Sequence, residues 1–336
     1  MVVITRPALL VAAVIIIVIV IGASVALVVS HGSSSVSVGS ISVGVSSFDA
    51  YRVDPSISNV PVKVNYVIYS LTPSLFDALL RGEVDIAILP ADLAGLALLQ
   101  SNNTYVVAVD FPLFQGIVVP AGSNITSPAQ LAGKTVAIPV GTGTYYLFVI
   151  MMKELYNLTV SPNLTGPDVV HVINAAPGNV IDAVLTGSAQ AGVIWQPMLA
   201  EAVELYHMRV IATYQEMWHN LTGQETAPFL VWVATSKLVS NRHLLVNVLT
   251  LHAESAEAWD HNESLAALAL EKLYGVPGNV SQLVWASTND TPTSVCINQQ
   301  EYQELVSEWQ YLVRSGFFTA MPNTSRILTC SDLGLS

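Results

Sequence analysis

The seven histidines of this chain, His31, His171, His207, His219, His243, His252 and His261, are the first residues that could carry catalysis or hold a metal. His243, His252 and His261 are evenly spaced, at a step that turns successive members to opposite sides of a helix. His243 and His261 share a face but stand about 27 Å apart at 1.5 Å per residue, too far for one ion. His207 and His219 have no ligand-like neighbour in sequence and read as ordinary surface or core histidines. No H-E-x-x-H, C-x-x-C, G-x-S-x-G or phosphate-loop pattern occurs. The side chains therefore specify no catalytic residue, no metal site and no cofactor. A non-catalytic binding protein is the expectation.

Binding chemistry has better candidates. Gly141, Thr142, Gly143 and Thr144 sit where a predicted strand feeds a predicted helix. Glycine lets a backbone approach a ligand closely. The unpaired N–H groups of a helix start attract anions without a cationic side chain. A dinucleotide fingerprint would need a third glycine, which is missing. A plain tight turn is the alternative reading. Other strand ends repeat the theme: Ser46, Ser47 and Phe48; Leu71 and Thr72; Pro90 and Asp92; Ala175 to Pro177; Trp195 to Pro197. Ligands of open parallel sheets bind outside the carboxyl ends of the strands. Hydroxyls, a Trp and helix starts gathered there would form a small polar pocket with an aromatic wall. Capping and core packing are the competing roles, above all for Asp92 and Trp195.

These residues need elements to hold them. Strands are predicted at residues 41–45, 60–70, 84–89, 105–109, 116–119, 134–138, 169–173 and 191–195, from β-branched runs bounded by turn residues. Between them fall helical patterns at 72–82, 92–100, 127–133, 144–155 and 180–185, with Thr72 expected as a cap and Pro73 as the first helical residue. Alternating strands and helices imply an α/β fold with mainly parallel sheets. The last third is largely helical, at about 241–261, 263–274, 279–287 and 298–315, broken by Gly275 and Pro277. No internal repeat is visible.

Three features concern location. Ala8 to Val29 is an uncharged apolar run, long enough to span a membrane at about 20 residues. It exceeds the roughly 7–15 apolar residues of a cleaved signal, although Ala23 to Ala26 also reads as a cleavage site. Arg6 precedes the run and Asp49 is the first charge after it, which puts the N-terminus inside. Asn-x-Ser/Thr acceptors begin at Asn102, Asn124, Asn157, Asn163, Asn220, Asn262, Asn279 and Asn323, with a weaker one at Asn289 ahead of Pro292. That density suggests a glycan-coated outer surface. Cys296 and Cys330 are the only cysteines, and an oxidising compartment would favour a bridge over two buried thiols. Charged residues are 11% with a net charge of −12, and the few basic ones are scattered, so nucleic acid is excluded as a partner.

Three segments, taken in order, resemble a known family. LRGEVDIAILP (Leu80–Pro90), SPAQLAGKTVAIP (Ser127–Pro139) and AVLTGSAQAGVIWQP (Ala183–Pro197) look like conserved stretches of solute-binding proteins of ABC transporters. The nearest class is nitrate/sulfonate/taurine, in the type 2 periplasmic-binding-protein superfamily, which also includes thiamine-pyrimidine-binding proteins. Gly141 to Tyr145 falls on that family's ligand-contacting loop. The resemblance spans roughly residues 40–320. Gln190 and Gly192 flank Ala191 where members often carry an acid, and Gln196 replaces a frequent Glu.

The resemblance implies two α/β lobes joined by crossover strands near Gly116–Pro120 and Pro228–Ala234. The expected organisation is a cytoplasmic N-terminus (1–7), an anchor (8–29), a Ser/Gly tether (30–40), a discontinuous first lobe (41–118 and 230–336) and a second lobe (119–229). Ser46, Ser47, Phe48, Thr72, Asp92, Gly141, Thr142, Gly143, Thr144, Tyr145 and Trp195 are the expected cleft contacts. The expected protein is a membrane-anchored, single-pass surface receptor of archaeal type with a monomeric ectodomain outside the cell. It would pass a small polar or anionic solute to an ABC permease and its ATPase. The rival readings are an enzyme of thiamine-precursor pyrimidine chemistry and a sensor or scaffold that kept the fold.

Overall fold

The computed structural model describes residues 41–46, 60–69, 72–289 and 294–335. The expected anchor at 8–29 and the tether at 30–40 lie outside them. Among the described residues no helix is long and apolar enough to cross a membrane.

Residues from Gly39 onward form one compact unit built on two sheets. The first holds β1 (Ile41–Ser46), β2 (Val64–Tyr69), β3 (Ile86–Pro90), β4 (Thr104–Pro112) and β11 (Pro228–Thr235), in the order β2-β1-β3-β11-β4. Helices α1 (Thr72–Leu80) and α2 (Ala91–Gln100) connect its early strands. The second holds β5 (Gln115–Val119), β6 (Thr135–Ile138), β7 (Thr159–Ser161), β8 (Val169–Asn174), β9 (Ala191–Trp195) and β10 (Arg209–Thr213), in the order β10-β5-β9-β6-β8-β7. Its helices are α3 (Gly143–Tyr156), α4 (Val180–Leu185), α5 (Met198–Glu204) and α6 (Tyr214–Thr222).

The sheets are mixed, where mainly parallel ones were expected. The pairs β1–β2, β1–β3, β6–β8, β6–β9 and β7–β8 are parallel. The pairs β3–β11, β4–β11, β5–β9 and β5–β10 are antiparallel. The cause is the path of the chain. It leaves the first sheet after β4 and enters the second directly at β5. It returns at β11, which inserts between β3 and β4 against their direction. Every residue of β11 is buried, which explains its unbroken apolar run PFLVWVA. Strands β7 and β10 and helices α5 and α6 were not expected. They are short, and β10 is half-buried along its length with one exposed residue, without the clean alternation that marks a strand in sequence.

The helical final third is close to expectation: α7 (Ser236–Val239), α8 (Arg242–Asp260), α9 (Glu263–Tyr274), α10 (Gly278–Thr288) and α11 (Gln299–Arg314). Asn241, Asn262 and Asn298 cap α8, α9 and α11 by accepting N–H bonds from Leu244, Leu265 and Glu301. Asn298 and Glu301 complete a capping box. The tail then returns to the first sheet. Cys296 and Cys330 are bridged, and a single parallel bridge pairs Ile297 with Thr329 beside them. The buried Arg326 guanidinium donates to the carbonyls of Leu98, Ser101 and Thr104, closing the end of α2.

Candidate functional site

The start of α3 is the centre of the candidate site. Gly141 has φ +83°, a conformation glycine adopts without strain, and it turns the chain from β6 toward the helix. Thr142 then caps α3. Its hydroxyl oxygen accepts from Tyr145 N–H at 3.3 Å, and the hydroxyl donates to Pro139 C=O at 2.7 Å. The leading N–H groups of the helix, at Gly143 and Thr144, have no acceptor inside it. Gly143 and Thr144 are both buried.

Polar and aromatic groups surround this start. Gln115, 1% exposed, donates from Nε2 to Thr144 Oγ1 at 3.4 Å. Its Oε1 accepts from Phe114 N–H at 3.1 Å. The fully buried Tyr214 hydroxyl donates to Thr144 C=O at 2.8 Å. Trp195, half-buried, pairs in register with Gln115 across β5 and β9. Phe111, Phe114 and Phe229 form an edge-to-face chain, with centroids 4.9 Å and 5.3 Å apart. The result is a wall of aromatic rings beside a helix start that offers N–H groups.

The opposite side comes from the other sheet. Asp92 lies in the first turn of α2, just after β3, and is 3% exposed. Its Oδ1 is 2.5 Å from where a Cβ on Gly143 would be, so a hydrogen is all that position tolerates. Phe229, on the returning strand β11, is 3.5 Å from the same point. Two sheets and a crossover strand thus converge on Gly143. Trp309 on α11 fixes the approach of α2 by donating its indole N–H to Ala91 C=O at 2.9 Å.

The electrostatics of this convergence are unusual. Asp92 Oδ1 is buried without a hydrogen-bond partner, and so is Oε2 of Glu308, which is 1% exposed on α11. Burial pushes the Asp92 carboxyl up to about 6, opposed by N–H bonds from its own backbone and that of Leu93. Burial also pushes Glu308 well above the ordinary carboxylate range, and the charge of Asp92 adds to the shift. Tyr146 is raised by burial first, then by the charges of Asp92 and Tyr145.

The expected site residues separate into three groups. Asp92, Gly143, Thr144 and Trp195 gather around the α3 start with Thr142 and Tyr145 on its first turn. Thr72 is the first residue of α1 and not its cap. Ser46 ends β1, while Ser47 and Phe48 lie outside the described residues. Gln196 is held structurally: its Nε2 donates to Ser287 Oγ at 2.9 Å and its Oε1 accepts from Ala200 N–H at 3.1 Å. Gln115, Tyr146, Tyr214, Phe229 and Glu308 were missed by sequence reasoning. Glu308 left a signal, because it lies on the apolar face of α11 with Leu305, Trp309 and Leu312. A separate open hollow of about 340 Å³ lies against Pro128, Tyr156, Met217 and His219, away from the strand ends that carry the chemistry.

No curated protein matches the sequence. The chain is similar in fold to the periplasmic aliphatic sulphonate binding protein SsuA of Escherichia coli, at TM-score 0.71 and 17% identity, covering 86% of this chain and 91% of that one. It is also similar to the alkanesulfonate-binding protein SsuA of Xanthomonas axonopodis pv. citri bound to MOPS, at TM-score 0.67 and 16% identity, over 89% and 99% of the two chains. A DszB mutant in complex with biphenyl-2-sulfinic acid shares the fold at TM-score 0.61 and 14% identity, over 88% and 97%. At these identities the likeness establishes the fold alone, an α/β periplasmic-binding-protein-like fold with mixed sheets. The family described as "ABC transporter, phosphonate, periplasmic substrate-binding protein" matches residues 58–257, more than half of the chain. The chain therefore belongs to the phosphonate-type periplasmic substrate-binding proteins of ABC transporters.

Proposed function

We propose that the protein captures a small anionic solute between its two lobes and delivers it to an ABC permease driven by an ATPase. The observation that carries this is the buried start of α3, faced by Gln115, Trp195 and Asp92 from strand ends of both sheets. N–H groups at a helix start bind an oxyanion without a counter-ion. Thr144 and Gln115 would orient the head group, and Trp195 and the Phe114–Phe229 wall would pack on its apolar part. Sulfonates and phosphonates are the favoured classes, since the matched family and similar folds are described by such ligands. Residues 41–118 with 230–336, and residues 119–229, would form the lobes that close on the solute.

The receptor would be held at the outer face of the membrane by residues 8–29 and coated with glycans. All eight strong acceptor asparagines are exposed, in keeping with that coat. A binding role is favoured over catalysis because both cysteines are bridged, which removes thiol nucleophiles from a chain whose relatives in fold include DszB. Calorimetric titration of the full chain with sulfate, methanesulfonate, ethanesulfonate, methylphosphonate and phosphate tests the reading. One or more should bind saturably at one site per chain. Absence of binding across the whole panel would sink it.

A further inference from the structure

Asp92 poses a problem for any anion at the start of α3. Its carboxyl lies against Gly143, the first residue of the helix, close enough to forbid a methyl group there. Both it and Glu308 are almost wholly buried, and each keeps an oxygen without a hydrogen-bond partner. Helices α2, α3 and α11, which carry this region, pack on one another. The titratable groups on those helices that interact with Asp92 are Tyr146 on α3 and Glu308 on α11. The near residue of β11 is Phe229, which is uncharged. The buried acid of β4, Asp110, has a partner of its own. None of the described groups facing Asp92 brings a positive charge. Two buried like charges beside an incoming anion would make the complex strongly unfavourable. A proton removes the conflict and turns the carboxyl from a repelling acceptor into a donor.

We infer that Asp92 is the specificity-determining group of the cleft, and that the site takes up its anion together with one proton held on the Asp92–Glu308 pair. The protonated carboxyl donates to the oxyanion while the first N–H groups of α3 hold it from the other side. Glu308 feels the charge of Asp92, so ionising both carboxyls is more costly than ionising one. The inference rests on the anion-receptor reading above and adds to it a selection for oxyanions that accept a hydrogen bond from an acid. In this cleft a solute's affinity depends on pH even when the solute itself does not titrate.

Ethanesulfonate, methanesulfonate and sulfate keep the same charge from pH 5 to 8, and so separate the protein's proton from the ligand's. Titration of the full chain in two buffers of different ionisation heat measures proton uptake without any substitution. Above the pair's titration uptake should approach one proton per anion bound, and affinity should fall about tenfold per pH unit there. Asp92→Asn, a permanent neutral donor, should bind across the whole range with a flat profile. Glu308→Gln should move the midpoint to lower pH while keeping the slope. A flat wild-type profile with no proton uptake overturns the inference and leaves the receptor reading standing. So does a profile that survives Asp92→Asn unchanged. Affinity that rises with pH, and only for amine-bearing probes such as 2-aminoethanesulfonate, would mean that the pair meets a cation on the solute and also overturns it. No binding by wild type and Asp92→Asn at any pH defeats the receptor reading itself, and the inference with it.

Discussion

His252 is the residue whose chemistry is most constrained by its surroundings. It is 3% exposed and stacks on Trp232 with ring centroids 4.2 Å apart and planes within 9°. Tyr66 OH and His252 Nε2 are 3.0 Å apart, while Nδ1 is buried without a partner. Burial lowers its pKa to about 3. The ring is neutral in the folded protein and becomes charged on unfolding below pH 6.5. Its contribution to stability is therefore intact above that pH and is lost as pH falls toward 3. Comparison of wild type and His252→Gln by urea denaturation at pH 7 and pH 5 should isolate it. Wild type should lose about 2 kcal/mol more than the variant over that interval. The raised carboxyls Asp92 and Glu308 act with the opposite sign: they favour the fold at low pH and cost stability as pH rises through their folded pKa values. The acceptor asparagines illustrate a second residue-scale economy. Asn262 and Asn323 cap through Oδ1, which leaves Nδ2, the atom a glycan would take. Glycosidase treatment of natively produced protein should lower its mass without loosening those caps, read as an unchanged melting temperature.

At the scale of elements, the start of α3 and the C-terminal strap are the parts most exposed to a single change. Alanine is about 1 kcal/mol better than glycine inside a helix. Gly143→Ala should nevertheless weaken ethanesulfonate binding at least tenfold, because its methyl would meet the Asp92 carboxyl and Phe229 and keep α2 and α3 apart. The same overlap is present without a ligand, so the free protein should also melt earlier, by overpacking that costs about 1–3 kcal/mol, and the binding loss is read on the fraction that stays folded. Thr142→Ala removes the cap on Tyr145 N–H and should cost about 1 kcal/mol of stability. The bridge between Cys296 and Cys330 closes a sequence separation of 34 residues. Its removal by paired Cys→Ser substitution should cost roughly 3–4 kcal/mol on the loop-entropy account, measured by denaturant titration. The Ile297–Thr329 bridge and the Arg326 clamp on α2 are held within or beside the same loop, so exchange protection should fall there first.

For the whole molecule, closure on a solute is a linkage problem. A ligand at about a hundred times its dissociation constant should raise unfolding free energy by about 2.7 kcal/mol, visible as an upward shift in melting temperature. The α10–α5 contact bears on whether the proposed lobes could part. Gln196, at the end of β9, donates to Ser287 on α10, and Ala200 on α5 packs into a cluster with Trp259 and Val284 from the helical tail. The helical tail thus touches the second sheet's helices as well as the first sheet, and any hinge motion must carry or break this contact.

Much of this organisation is legible in the amino-acid order, and the limit is physical. Local signals determine the strands β1 to β3, the cap at Asn241, the turn at Gly141 and the helices of the final third, because each depends on neighbours within a few residues. The family motifs extend that to two α/β lobes, and the count of two cysteines in an oxidising setting anticipates the bridge. The direction of β5 and β11 was decided by chain path, which no periodicity encodes, and mixed sheets followed. The candidate site divides in the same way. Gly141 to Thr144 announces a helix start in sequence, but Gln115, Phe229 and Glu308 lie far from it along the chain. Only tertiary structure brings Asp92 against Gly143, and with that contact a residue that could have been an ordinary helix cap becomes a buried acid at the proposed anion site. Burial and like-charge proximity are properties of the assembled fold, so the protonation state of the cleft is decided there and nowhere in the sequence.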